Sequence, residues 1–275
     1  MADASPPDSV SATILAEGEL VVVGRIRSAS NAALVCDAVG GDETELRCVY
    51  KPVRGEVPLW DFPDGTLAGR EVASYLISDA LGWSVIPETV LRDGPAGPGM
   101  VQRWVETVDA PDDPARLDLV DLCPPALVPE DFKSVLEAYT PAGDPVVLVH
   151  ADDPRLQRMA VLDVVLNNAD RKGGHVLEGL DGGVYGIDHG ICLHTDDKLR
   201  TVLWGWAGEQ IPAHLLADIA SLADDLGPDG PVRAALAGLI TDREIGAVAT
   251  RCAELVDTGA MPYPPGRRPI PWSPF

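Results

Sequence analysis

The residues best suited to chemistry stand in a polar loop and in a strand that follows it closely. Residues 167–177 carry two asparagines, Asp170, an arginine, a lysine, two glycines and His175 before the sequence turns apolar again. Residues 185–190 then predict a short strand that ends in Asp188, ahead of a His-Gly turn. Two aspartates on neighbouring loops can supply one proton acceptor and one metal ligand. Phosphoryl transfer needs little beyond these groups and positioned phosphates.

Strands around one helix are predicted for the first half of the chain. Short apolar runs bounded by turn residues predict strands at residues 20–23, 33–36, 46–51, 85–91 and 100–105. The second and third of these are expected to pair as a hairpin. Apolar residues at helical spacing, ended by Gly82, predict a helix over residues 69–81.

Helical signals dominate the second half. Asp153 offers an N-cap followed by proline at the first helical position, and apolar residues then recur at helical spacing. Another helix is predicted over residues 212–226, and the capping box from Thr241 to Glu244 starts a third. We therefore predict an α+β fold with a β-rich first lobe and a mainly helical second lobe.

Four segments are predicted along the chain. They are a disordered lead at residues 1–12, an N-terminal lobe at 13–107, a helical C-terminal lobe at 108–260 and a Pro-rich tail at 261–275. The lobe boundary is placed where a stretch rich in Asp and Pro begins.

Composition excludes several classes of protein. The 275 residues are 46% hydrophobic, which predicts a folded globular chain. A formal net charge of -22 repels nucleic acid phosphates and anionic bilayers, although it excludes neither a local basic pocket nor attraction of divalent metal. The five cysteines form no Cys-x-x-Cys pair, so reduced thiols explain them better than disulfides or zinc. Because neither a signal peptide nor a membrane-spanning apolar run is visible, we expect a soluble cytoplasmic protein.

The motifs resemble those of the phosphatidylinositol 3-/4-kinase-like family. Residues 170–175 begin with Asp-Arg, like the catalytic loop of that family, and residues 187–190 are similar to its metal-binding Ile-Asp-x-Gly. Residues 50–52 resemble the Phe-Lys-Pro of type II phosphatidylinositol 4-kinases. Residues 71–76 resemble their helix with an ion-pairing glutamate, and residues 85–89 their Val-Pro-x-Thr. The motifs occur in family order, and the chain also resembles a group of actinobacterial kinase-like proteins.

The resemblance implies a bilobal, protein-kinase-like fold that binds ATP and Mg²⁺, or Mn²⁺, between its lobes. It assigns Lys51 to the α- and β-phosphates and Glu71 to an ion pair with Lys51. It makes Asp170 the catalytic aspartate and Asp188 a metal ligand.

The resemblance also implies where the rest of ATP lies. Adenine is expected against backbone groups of Gln102, Arg103 and Trp104. Residues 24–31 are expected to form a turn over the phosphates, with Gly24, Ser28 and Ser30 as contacts. That turn holds one glycine only, so serine hydroxyls and backbone amides would have to hold the phosphate.

One metal position departs from the family pattern. His175 stands where the family has a second metal-binding asparagine. Magnesium prefers oxygen ligands, whereas imidazole suits softer ions better. Two hypotheses follow: the site tolerates manganese, or magnesium is held chiefly by Asp188 while His175 lies near a phosphate.

The predicted function is transfer of the γ-phosphate of ATP to a hydroxyl of a small molecule, a protein or an inositol lipid. The acidic charge favours a soluble small molecule or a protein over a lipid. Two alternatives are a pseudokinase that binds nucleotide without turnover, and a relative that transfers AMP. Taken singly, each residue also has an ordinary structural interpretation: Lys51 as an edge lysine, Glu71 as a helix-surface charge, Asp170 as a partner of Arg171, Asp188 as a turn aspartate and His175 as a structural histidine.

Overall fold

The N-terminal lobe is built on a five-stranded antiparallel sheet. The computed structural model describes residues 9–26, 31–41, 43–107, 117–266 and 268–275. The strands of this sheet are β1 (Glu19–Arg25), β2 (Leu34–Val39), β3 (Glu45–Pro52), β4 (Thr89–Gly94) and β5 (Gly97–Arg103). Their order is β1-β2-β3-β5-β4, and β2 pairs with β3 as the predicted hairpin. The helices of this lobe are α1 (Ser9–Glu17) and α2 (Leu67–Ala80).

Strand β3 turns Lys51 away from the face that α1 covers. Side chains alternate between the two faces of a strand, so Cys48 and Tyr50 are buried together on the α1 side. Lys51 lies on the other face, where its neighbour on β5 is Met100. Met100 packs with Val72 of α2 in a second small apolar cluster. The alternation therefore directs the lysine towards α2.

Helix α1 begins inside the segment that was predicted to be disordered. Residues 9–12 are already helical, so the prediction of disorder is wrong for them, and residues 1–8 lie outside the described residues. Ile14 and Leu15 of α1 are buried against the sheet. Burial of these two side chains holds the helix, although its own sequence lacks a strong amphipathic pattern.

The C-terminal lobe contains more β structure than the sequence predicts. A three-stranded antiparallel sheet, in the order β6-β8-β7, precedes its helices. Its strands are β6 (Val120–Cys123), β7 (Phe132–Tyr139) and β8 (Pro145–Ala151), and a hairpin of β9 (Val176–Glu178) and β10 (Val184–Gly186) follows later. The prediction of a mainly helical lobe misses this sheet, because strands are stabilised by cross-strand neighbours that no single segment reveals.

The helices of this lobe begin where the caps predict. They are α3 (Pro154–Leu166), α4 (Ala213–Asp225), α5 (Pro231–Leu236) and α6 (Asp242–Thr258), of which the short α5 was not predicted. The Asp153 carboxylate accepts from the amide of Arg155, and Thr241 forms the predicted capping box at α6. Helix α3 ends at Leu166, and the left-handed backbone of its C-cap Asn167 (φ 51°) turns the chain into the polar loop.

The largest core joins α2 to the C-terminal lobe. It contains Ala73 and Ile77 of α2 together with the apolar faces of α3, α4 and α6. Trp204 and Trp206 are buried in the same core, as packing aromatics. All five cysteines are buried and free of disulfides. Within the described ranges, every helix is too short or too polar to cross a bilayer.

Candidate active site

Lys51 connects the two lobes through two carboxylates. Its Nζ donates to Glu71 Oε1 at 2.7 Å and to Asp188 Oδ1 at 2.8 Å. The first contact links β3 to α2 within the N-terminal lobe, and the second crosses to the loop after β10. Residues 137 positions apart in the sequence therefore meet at one ammonium group.

Helix α2 is anchored so that Glu71 faces the lysine. Thr66 accepts from the amide of Gly69, and the Glu56 carboxylate accepts from the first two helical amides, those of Leu67 and Ala68. These bonds satisfy donors that a helix N-terminus otherwise leaves free. Glu71 stands one turn further on and is only 3% exposed. Burial raises the pKa of its carboxyl, and the adjacent Lys51 opposes that rise.

Asp188 lines a cleft beside Lys51. Its backbone is left-handed (φ 62°), which turns the side chain out of the β10 direction at the loop that follows. About half of its side-chain surface, 51%, is accessible. Burial raises the pKa of Asp188, but the positive charge of Lys51 outweighs burial and lowers the value to about 2. Burial also lowers the pKa of Lys51, and the two carboxylates reverse this into a net rise.

His175 presents one ring nitrogen to Asp188. Its Nδ1 lies 3.0 Å from the backbone carbonyl oxygen of Asp170, which can only accept, so Nδ1 carries the proton. Its Nε2 then has a lone pair and lies 3.4 Å from Asp188 Oδ2. Burial lowers the pKa of His175 and favours this neutral form, although Asp188 opposes the effect. A nitrogen and a carboxylate oxygen thus point at the same space.

Asp170 is held by its backbone and by a neighbouring cation. The side-chain oxygen of Asn168 accepts from the Asp170 amide at 3.0 Å, and the Asn168 amide group donates to Asp163 at 2.9 Å. Lys172 Nζ lies 3.3 Å from Asp170 Oδ2. Sequence reasoning missed Lys172 as a site residue, although its position two residues after the aspartate was visible.

A buried ion pair joins the Asp170 loop to the Asp188 loop. Arg171 and Asp163 are both fully buried, and Arg171 Nη2 lies 2.9 Å from Asp163 Oδ1. The same guanidinium nitrogen donates to His189 Nε2 at 2.6 Å. Burial and Arg171 lower the pKa of His189 well below its usual value, so the ring is neutral and can accept. The network went unpredicted, although a charged Asp163 inside an apolar helix was the available signal.

The described residues around these groups enclose a cleft of about 450 Å³. Lys51, Glu71, Asp170 and Asp188 all line it. Of the residues assigned to the phosphate turn, Gly24 lies inside β1, and Ser28 and Ser30 fall outside the described residues.

The residues assigned to adenine do not line this cleft. The Gln102 side chain is 5% exposed and donates to Thr89 Oγ1 at 2.9 Å. The amides of Arg103 and Trp104 donate to the carbonyls of Glu88 and Arg47. Because these donors already have partners in the protein, an adenine contact at residues 102–104 stays a prediction.

The donor set fits a metal ion that takes some of its ligands from the protein and the others from nucleotide phosphates. The described residues include no cluster of three or more His, Cys, Asp or Glu that could hold an ion alone. Asp188 and His175 offer one oxygen and one nitrogen. A divalent ion at this pair needs further oxygens, and nucleotide phosphates supply them in many kinases and ATPases.

The five-stranded sheet, the pairing of Lys51 on β3 with Glu71 on α2, and Asp188 after β10 together define a protein-kinase-like fold. Two solved structures share this fold. The Golgi casein kinase with Mn/ADP bound has 13% sequence identity and a TM-score of 0.51, and the match covers 90% of this chain and 74% of that one. Another crystal structure of the Golgi casein kinase has 14% identity and a TM-score of 0.50, and the match covers 92% of this chain and 76% of that one. At these identities the likeness shows the fold alone.

Sequence similarity defines the family. The chain is 58% identical over 266 residues to Protein Rv2133c of Mycobacterium tuberculosis (strain ATCC 25618 / H37Rv), which covers 95% of this chain and 94% of that protein. The chain belongs to the family of Protein Rv2133c. No established family model matches it.

Proposed function

We propose that the chain is an ATP- and divalent-metal-dependent kinase that transfers the γ-phosphoryl group to a hydroxyl. The observation that carries the proposal is the convergence of Lys51, Glu71, Asp188 and Asp170 on one cleft between the lobes. An ammonium held by a buried carboxylate is suited to phosphate oxygens. A carboxylate beside it is suited to an attacking hydroxyl.

The protein groups have separate roles in this reaction. Lys51 binds the α- and β-phosphates, and Glu71 fixes its position. The acceptor oxygen forms a bond to the γ-phosphorus while the bond to the bridging oxygen of the ADP leaving group breaks, and the hydroxyl proton passes to Asp170. Lys172, 3.3 Å from the Asp170 carboxylate, adds positive charge where the transferred group passes.

Asp188 and His175 would hold the divalent ion. When bound, the ion neutralises charge on the phosphate oxygens. The nitrogen ligand favours manganese over magnesium, since magnesium prefers an all-oxygen environment. The related structure with Mn/ADP bound supports the pairing of a nucleotide with this metal.

The proposed substrate class differs from the inositol lipid that the family resemblance suggests. The phosphatidylinositol 3-/4-kinase subclass rests on short motifs alone, because the structural likeness is to the Golgi casein kinase. A net charge of -22 also disfavours work at an anionic bilayer. We therefore propose a free hydroxyl compound or a protein hydroxyl as the acceptor.

Nucleotide products test the proposal. Purified chain is incubated with ATP and Mn²⁺, and ADP, AMP and pyrophosphate are quantified by chromatography. A kinase forms ADP, and the Asp188→Ala variant should lose most of this activity while Asp224→Ala, a matched change on exposed α4 surface, should keep it. Pyrophosphate release would indicate AMP transfer instead. Equal background rates in all three proteins would leave only a nucleotide-binding module.

A further inference from the structure

A second cavity also reaches Asp170. It measures about 890 Å³ and lies between the β6-β8-β7 sheet and residues 268–275, called here the Pro-rich strap. Among the described residues, Asp170 alone lines both this cavity and the cleft that contains Lys51 and Asp188. The proposed proton acceptor therefore separates two spaces, of which one is already assigned to nucleotide.

The strap is fastened at both ends, so the cavity has a defined wall. The Pro269 carbonyl accepts from the Thr201 amide at 3.0 Å and from Trp204 Nε1 at 2.8 Å. At the other end, the Pro274 carbonyl accepts from the Gly173 amide at 2.8 Å. Gly173 belongs to the same polar loop as Asp170, so the strap is attached directly to the catalytic loop.

The wall is apolar to an unusual degree for an exposed surface. Five large hydrophobic side chains that are 41% to 93% exposed line this one cavity: Leu122, Leu136, Tyr139, Trp272 and Phe275. Scattered exposed hydrophobic residues need no explanation, but a contiguous apolar patch around a cavity marks a binding site. The occupant must therefore offer an apolar body.

Positive charge accompanies this apolar wall. Arg200 and Arg268 line the cavity, and neither guanidinium has an ion-pair or hydrogen-bond partner among the side chains and backbone groups that the structure describes. Two unpaired arginines are notable in a chain with 43 acidic and 21 basic residues. Arginine is the side chain best suited to a carboxylate, sulfonate or phosphate on a ligand.

We infer that this cavity binds the phosphoryl acceptor, a free amphipathic molecule with an apolar body, a negative group and a hydroxyl. The apolar body lies between Leu136 and the strap, the negative group meets Arg200, and the hydroxyl reaches Asp170. This assignment rests on the kinase activity proposed above. A free molecule fits better than a bilayer surface, because the site lies between the sheet and the strap and the chain carries a net charge of -22.

Binding of 8-anilinonaphthalene-1-sulfonate tests the site without turnover. This probe joins an aromatic body to a sulfonate and fluoresces in apolar surroundings. Saturable binding to the wild type is expected, and Leu136→Glu should weaken it roughly tenfold or more. Leu180→Glu is the matched control, since Leu180 is 68% exposed and stands outside the cavity lining. Equal probe affinity in the two variants would overturn the assignment.

The charge component is tested separately. Arg200→Gln should weaken binding of the sulfonate probe roughly tenfold, as expected for loss of a charge-assisted contact. The same variant should bind the neutral apolar probe Nile red as the wild type does. Parallel weakening of both probes would refute a role for Arg200 in charge recognition.

Sedimentation with phosphatidylglycerol vesicles tests whether the ligand is a free molecule. The protein should stay in the supernatant, and co-sedimentation would contradict a free ligand.

Nucleotide readouts keep the two proposals distinguishable. If the cavity assignment fails, the probe pattern is lost while wild-type ADP formation persists. If the kinase proposal fails, neither the wild type nor any variant forms ADP above the Asp188→Ala background, while the differences in probe binding remain. That outcome would support the binding site and refute its role as the acceptor site. Circular dichroism melting of each variant verifies that it is folded.

Discussion

Substitution of Asp163 should destabilise the chain far more than its size suggests. The Asp163 carboxylate is fully buried and accepts from Arg171, from Thr201 Oγ1 at 3.0 Å and from the Asn168 amide group at 2.9 Å. Asp163→Asn keeps the shape but removes the charge that compensates Arg171. A buried charge left without its partner costs about 3–5 kcal/mol. Total stabilities of single domains are only about 5–15 kcal/mol, so much of the stability is at stake.

Urea unfolding followed by circular dichroism measures this loss. The matched control is Asp242→Asn, which removes a carboxylate that is 85% exposed and lies 2.7 Å from Arg233. An exposed pair of this kind contributes at most about 1 kcal/mol. The free energy of unfolding should therefore fall by at least about 2 kcal/mol more in Asp163→Asn than in the control. Equal losses would refute the view that Arg171 depends on Asp163 for its charge.

Three further changes test the site and the strap. Glu71→Gln keeps the size of the side chain but removes the charge that holds the cleft lysine, so the affinity for MnADP should fall roughly tenfold in a calorimetric titration; unchanged affinity would refute the pairing role. His175→Asn should shift the preference for ADP formation from Mn²⁺ towards Mg²⁺, and an unchanged ratio of the two rates would remove His175 from the metal site. Gly173→Ala places a methyl group against the Phe275 ring, whereas Gly174→Ala meets nothing within 4 Å. Hydrogen exchange in residues 268–275 should therefore accelerate only in the first, and equal exchange in both would contradict the packing of the strap on the loop.

The local elements were predictable because their signals are local. The N-cap at Asp153 and the capping box at Thr241 are read from side chains one to three residues apart, and both are present. Strand β3 was predicted from its own composition, and alternation then determines which side Lys51 faces. Motif order further predicted the kinase-like arrangement of two lobes.

The missed features depend on partners distant in the sequence. The apolar run of β8 is a strand because β6 and β7 pair with it on either side, and neither of those strands has a strong alternation of apolar and polar residues. The partner of Arg171 was equally hidden. The adjacent Asp170 was the obvious candidate, yet the guanidinium pairs with Asp163 eight residues earlier, on the buried side of α3. Only the fold determines which carboxylate lies within reach.

That choice of partner leaves Asp170 available for the proton transfer proposed above. Because Asp163 pairs with Arg171, the carboxylate of Asp170 pairs with Lys172 instead. The same arginine bonds to His189, the residue after Asp188, so one buried cation sets the spacing of the two loops. Buried ion pairs contribute little net stability when compared with apolar packing. The role of this pair is better explained by the geometry that it imposes on the two aspartates.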